Sequence, residues 1–153
     1  MSAAPARRPL VERVRRVLPG VWLGVLLALA FIAAPSLFAL LERPLAGRVA
    51  ARLFASEAQL SVALSVVLGL IERQRAARRA ASAEGSRISA ELLLVLGALF
   101  CTVLGHYALQ PMLEAARAGQ GPWSFGALHG VSTAFYGVKA LLVATLTWRA
   151  GRS

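Results

Sequence analysis

Charged residues in this chain fall in short runs separated by long apolar tracts, and the tracts are helix-length rather than strand-length. From Val21 to Leu41 no charge occurs, and these residues, at about 1.5 Å of rise each, cross a hydrocarbon core of about 30 Å. Arg43-Pro44 marks a turn, after which a helical pattern runs to about Arg73, with an uncharged core from Ala58 to Ile71. A third tract runs from Leu92 to Leu113, and a fourth from Trp123 to Trp148 is interrupted only at Lys139. Gly119, Gly121 and Pro122 break the helix between them. The pattern predicts an all-α membrane protein, a bundle of four transmembrane helices with spans at about residues 20–41, 49–72, 89–112 and 123–148. A basic flank (1–18), a basic middle loop (74–87) and a short tail (151–153) complete the layout. Ala28-Leu29-Ala30 resembles a signal-peptidase site, but the apolar run continues past it, so the first tract reads as an uncleaved anchor.

Composition sharpens this picture. Hydrophobic residues make up 58% of the 153, more than the core of a soluble domain needs. The formal net charge of +10 would raise nucleic acid as a partner in a soluble protein, but here the cations follow topology. Twelve arginines lie before span one, between spans two and three, or after span four; four, Arg43, Arg48, Arg52 and Arg117, lie on the other side. The positive-inside rule then puts both termini and the middle loop in the cytoplasm. No nucleic-acid partner is needed to explain the charge, and the expected surroundings are a lipid bilayer, the bacterial inner (plasma) membrane. The bacterial assignment rests on the bias of 16 Arg to a single Lys. Trp22 and Trp148 are expected at the inner interface, Tyr107 and Trp123 at the outer. Between Arg7 and Leu18, Leu10, Val14, Val17 and Leu18 share one helical face, the pattern of an interfacial helix on anionic lipid. Residues Ala76 to Ser86 read as a helix extension with a turn at Gly85.

Small residues recur at four-residue spacing in every span: Gly20, Gly24, Ala28; Ser61, Ser65, Gly69; Gly97, Cys101, Gly105; Gly126, Gly130, Ala134. Such stripes let helix backbones approach closely in lipid, favouring an intramolecular bundle first and a homo-oligomer second. Pro35 should kink span one and release the carbonyl of Phe31. Cys101, the only cysteine, reads as a small buried packing residue.

Polar residues inside the spans are the candidate chemistry. With span centres near residues 31, 62, 101 and 136, Pro35 and Ser36, Glu57, His106 and His129 all lie roughly 6 to 11 Å toward the outer side. A carboxylate at that depth must be protonated, paired with a neighbour such as Arg52, or in a wet cavity. His129, Ser132, Thr133, Tyr136 and Lys139 share one face of span four, which should point into the bundle. Glu57, His106 and His129 form the candidate ligand cluster, able to hold a transition metal or haem or to relay a proton. No HxxxH or CxxC spacing accompanies them, so no cofactor is expected; the alternative is that both histidines hydrogen-bond across helices. Lys139 is expected to snorkel toward the cytoplasmic headgroups or to reach Glu91. Arg117 and Glu114 read as a solvated pair. No phosphate-binding glycine loop or nucleophile elbow occurs, and enzymatic activity is not expected.

The segments GVWLG and APSLF of span one, AGRVAARLF leading into span two, YALQP ending span three and FGALHGVS opening span four resemble the transmembrane protein 205-like family. These are small four-helix membrane proteins without an established general activity. The resemblance covers about Gly20 to Trp148 and rests on Pro35, Phe38, Gly47, Phe54, Pro111, His129 and Ser132. Tyr136 stands where the resemblance implies a small amide. The functional expectation is a structural or partner-binding membrane protein; the alternative is a small transporter or metal- or haem-handling protein using Glu57, His106 and His129.

Overall fold

The computed structural model describes residues 7–82 and 86–152. Four helices in it are long and apolar enough to span a membrane: Pro9–Leu40, Arg43–Ala81, Ala90–Arg117 and Phe125–Arg152. No strand occurs among the described residues. The outward faces are apolar, with Phe31 75% and Leu40 82% exposed, whereas buried side chains include Arg15, Glu57, Ser61, Glu72 and Lys139. That distribution suits lipid as the surrounding solvent and would be costly in water. The chain is a multi-pass membrane protein.

Span one is α1 (Arg7–Ala28), a π-helical turn (Leu29–Ala33) and α2 (Ala34–Leu40). The π turn is the structural form of the disturbance expected at Pro35: the Ala34 N–H donates to Leu29 O, five residues back. Pro35 has no N–H to restore the α register, and the slip is absorbed in the turn before it. Span two is the single helix α3 (Arg43–Ala81), with Pro44 in its first turn. Span three repeats the plan of span one, with α4 (Ala90–Thr102), a π turn (Val103–Ala108), then α5 (Gln110–Arg117) with Pro111 in its first turn. The Ser89 hydroxyl caps α4, accepting from Leu92 N at 3.1 Å. Gly119 (φ 71°) and Gly121 (φ 89°) make the turn into α6 (Phe125–Arg152), a left-handed backbone that side chains with a Cβ resist.

α6 packs between α1 and α4, and α3 closes the ring against α4 and α1. Spans two and four therefore stand diagonally across the bundle axis. Spans three and four approach closely at Gly105: a Cβ there would lie 2.6 Å from that of Phe135, and its carbonyl accepts from Ser132 Oγ at 2.7 Å. The Gly126, Gly130 and Ala134 stripe of span four is different. All three are exposed, and a Cβ at either glycine would meet nothing within 4 Å.

Several expectations change. The segment Arg7 to Leu18 is not a separate interfacial helix but the first part of α1, which continues through the buried Pro19. Its basic face docks on the end of span two: buried Arg15 meets Glu72 at 3.6 Å, and Glu12 bridges Arg15 (3.1 Å) and Arg75 (3.3 Å). Span two extends to Ala81, as an extension beyond Arg73 requires; the turn expected at Gly85 lies outside the described residues. Trp22 is 0% exposed, in the core, rather than at an interface. Tyr107, in the π turn of span three, Trp123, just before α6, and Trp148, near the end of α6, are exposed.

Candidate functional site

At the termini end of the bundle, Trp22, Leu26, Leu68, Val95, Ala98, Val143 and Leu146 form a closed core. Above it, near mid-span, lies a polar chain linking three helices. Trp22 Nε1 donates to Ser61 Oγ at 2.8 Å, Ser61 Oγ donates to Glu57 Oε1, and Lys139 Nζ donates to both carboxylate oxygens, at 2.8 and 2.9 Å. The Lys139–Glu57 pair spans the diagonal between α6 and α3, a reach that the four-carbon lysine stem makes possible. Tyr136 supports it: Lys139 Nζ lies 4.7 Å from the centre of its ring, Phe54 packs edge-on at 5.4 Å, and the phenol O–H donates to Leu26 O at 2.9 Å. Each member of this desolvated network has its hydrogen-bonding partner, which a charge pair needs to survive in a low dielectric. One turn along α3, Ser65 Oγ is buried with no partner.

These contacts correct three expectations. Lys139 neither snorkels toward the termini end nor reaches Glu91; it turns back across the bundle to Glu57, and Glu91 is taken by Arg149 at 2.8 Å. The partner of Glu57 is Lys139 and not Arg52, which is exposed. Arg117 stacks over the Phe125 ring at 4.9 Å instead of pairing with Glu114, whose carboxylate accepts from Gln110 at 3.2 Å.

From the ion pair a cavity of about 700 Å³ opens toward the loops that join spans one to two and three to four. Its floor is Glu57, Lys139, Tyr136, Cys101 and Thr102; Ala30, Ala34, Gly47, Ala50, Ala51, Phe54 and Leu113 form apolar walls; and Phe38, Arg43, Arg48, Arg117 and Phe125 stand toward its mouth. His106, His129, Ser132 and Thr133 also line it. Every residue of the candidate cluster and its supporting face thus meets one space.

They do not meet as ligands. Among the described residues no three His, Cys, Asp or Glu side chains come together as a metal-holding group. His106 lies edge-on to Tyr107, with ring centres 5.0 Å apart, and His129 stacks on Phe125 at 5.7 Å. Among the described residues each histidine has an aromatic neighbour on its own helix, and neither makes the cross-helix hydrogen bond of the alternative reading. Ser132 does so instead, while Thr133 Oγ1 bonds back to His129 O at 2.9 Å within its own helix. Ser36, at the same depth, bonds to Ile32 O and takes no part. Sequence reasoning missed Trp22 and Ser61. For Ser61 a signal was present in its spacing from Glu57, one helical turn along the same face; for Trp22, on another helix, there was none.

Fold and site together define a class: a four-span membrane protein whose interior is sealed at one end and hollow at the other, with a buried ion pair between. The family follows from the sequence of its first three spans. Residues 17–121 match the profile of DUF4149, a domain of unknown function, and the chain belongs to that family. Comparison with curated proteins and with solved structures returned no match. The matched region contains Glu57 and His106; Lys139, Tyr136 and His129 lie beyond it, on span four.

Proposed function

We propose that this protein binds a small molecule inside the membrane-embedded cavity, as a non-enzymatic binding or carrier protein of the bacterial inner membrane with both termini in the cytoplasm. The observation that carries this reading is the cavity itself. Its volume of about 700 Å³ falls within the roughly 300 to 1,000 Å³ of small-ligand pockets, and its mainly apolar walls with a few converging polar groups have the composition of such sites. The orientation rests on the twelve arginines at the termini end and middle loop against four at the other.

We also place the chain among transmembrane protein 205-like proteins on the motifs of its four spans. Of the residues on which that resemblance rests, Phe38, Gly47, Phe54, His129 and Ser132 all line the cavity. The reading involves no metal or haem. A scaffold role through a homo-oligomer is the second reading, favoured by the exposed Gly126, Gly130 and Ala134 face, where a Cβ at either glycine meets only open space.

The test uses Gly47→Leu. A Cβ at Gly47 meets nothing within 4 Å, so the new side chain enters the cavity without displacing backbone. Protein purified from membranes should carry a co-purifying small molecule, detected by native mass spectrometry, that Gly47→Leu lacks. Identical adducts on both proteins would sink the reading.

A further inference from the structure

The cavity is not electrically neutral. Among the described residues its only lining carboxylate, Glu57, is already held by Lys139 at 2.8 and 2.9 Å. Toward the mouth stand Arg43, Arg48 and Arg117. Among the described residues none of the three is in an ion pair with a carboxylate. The chain places only four arginines at this end of the bundle, the side on which topology disfavours cations, and three of those four line one opening. α3 begins at Arg43, so the positive end of its dipole adds to the same field. Beneath this rim the walls are apolar.

Resting on the binding reading above, we infer that the ligand is an amphipathic oxyanion. Its carboxylate or phosphate head is held by Arg43, Arg48 and Arg117, and its hydrocarbon body lies in the cavity beside Phe54. Guanidinium groups suit this role because their planar fork binds carboxylate and phosphate oxygens in pairs. The interior ion pair complements them, because with Glu57 neutralised by Lys139 the floor does not repel an anion. Arg117, braced over the Phe125 ring at 4.9 Å, presents its guanidinium at the rim with less freedom to lose on binding. The anion can come from a membrane phospholipid or from a free single-chain amphiphile, and the two sources share this chemistry.

Native mass spectrometry of the full chain in a non-ionic detergent separates the possibilities. The probes are dodecyl phosphate and dodecanoate as free anions, phosphatidylglycerol as the lipid source, and dodecanol and dodecyltrimethylammonium as neutral and cationic controls. At least one anionic probe should bind one to one, and the controls should not. Preference for phosphatidylglycerol over the single-chain anions would assign the bilayer as the source, and the reverse would assign a free amphiphile. The triple variant Arg43→Gln, Arg48→Gln, Arg117→Gln should weaken anion binding roughly tenfold or more, and Gly47→Leu should abolish it with the arginines intact. Equal binding of dodecanol that the triple variant leaves unchanged and Gly47→Leu removes would overturn the anion assignment but keep the binding cavity. No probe sensitive to Gly47→Leu would remove both.

Discussion

At the termini end of the bundle, Trp22, Leu26, Leu68, Val95, Val143 and Leu146 fill the interior, and Arg15–Glu72 and Arg149–Glu91 tie the helix ends together. At the loop end, the same four spans leave about 700 Å³ empty; two π turns interrupt their helices and three arginines stand without carboxylate partners among the described residues. Lipid is as apolar as leucine, so helices in it are held by close packing and internal polar contacts rather than by escape from water. The closed half makes those contacts with itself. The open half makes fewer, and leaves charge and volume unmatched. The Lys139–Glu57 pair lies at the seam and ties spans four and two where packing gives way to space.

The sharpest way to break this comparison is at the seam. Lys139→Met leaves Glu57 buried without its cation and should destabilise the protein by about 3 to 5 kcal/mol, read from unfolding in detergent, while Glu57→Gln with Lys139→Met should recover most of that loss. A double variant as unstable as the single one would mean that the pair is not what closes the bundle.

Next in size is the contrast between the halves. Leu146→Ala, in the closed core, should cost at least about 2 kcal/mol; Phe38→Ala, at the rim of the cavity, should stay within about 0.5 kcal/mol, as substitutions at exposed positions do. Equal losses would mean that the loop end is as tightly packed as the termini end. Smaller than the Leu146→Ala loss is that of Gly105→Ala, whose methyl group would meet Phe135 at 2.6 Å and should cost about 1 to 2 kcal/mol as spans three and four are forced apart. A neutral result would show that this contact has slack.

Local pattern and global arrangement contribute unevenly. The four spans, the turn at Gly119 and Gly121, the disturbance near Pro35 and the extension of span two are legible in the sequence because each depends on a contiguous stretch: apolar length, a left-handed backbone or a missing N–H. The inward face of span four is legible in part: Ser132, Tyr136 and Lys139 turn inward, whereas His129 and Thr133, expected on the same face, are exposed. The partners are not. Depth along its own helix sends Lys139 toward the headgroups or Glu91, but depth does not reveal that span two stands diagonally opposite. Analogy with interfacial aromatics sends Trp22 to the membrane surface, because nothing near it in sequence announces a hydroxyl on another helix.

By itself, then, the sequence determined the number of spans, where the helices break and which residues carry polar groups into the membrane, for these follow from hydrophobicity and backbone chemistry over a few turns. Only the tertiary structure decided that Glu57 belongs to Lys139, that Trp22 and Ser61 complete their network, and that the histidines line a cavity without converging. Those outcomes depend on the order of helices around the bundle axis and on their rotation, both set by packing among residues 39 to 110 positions apart.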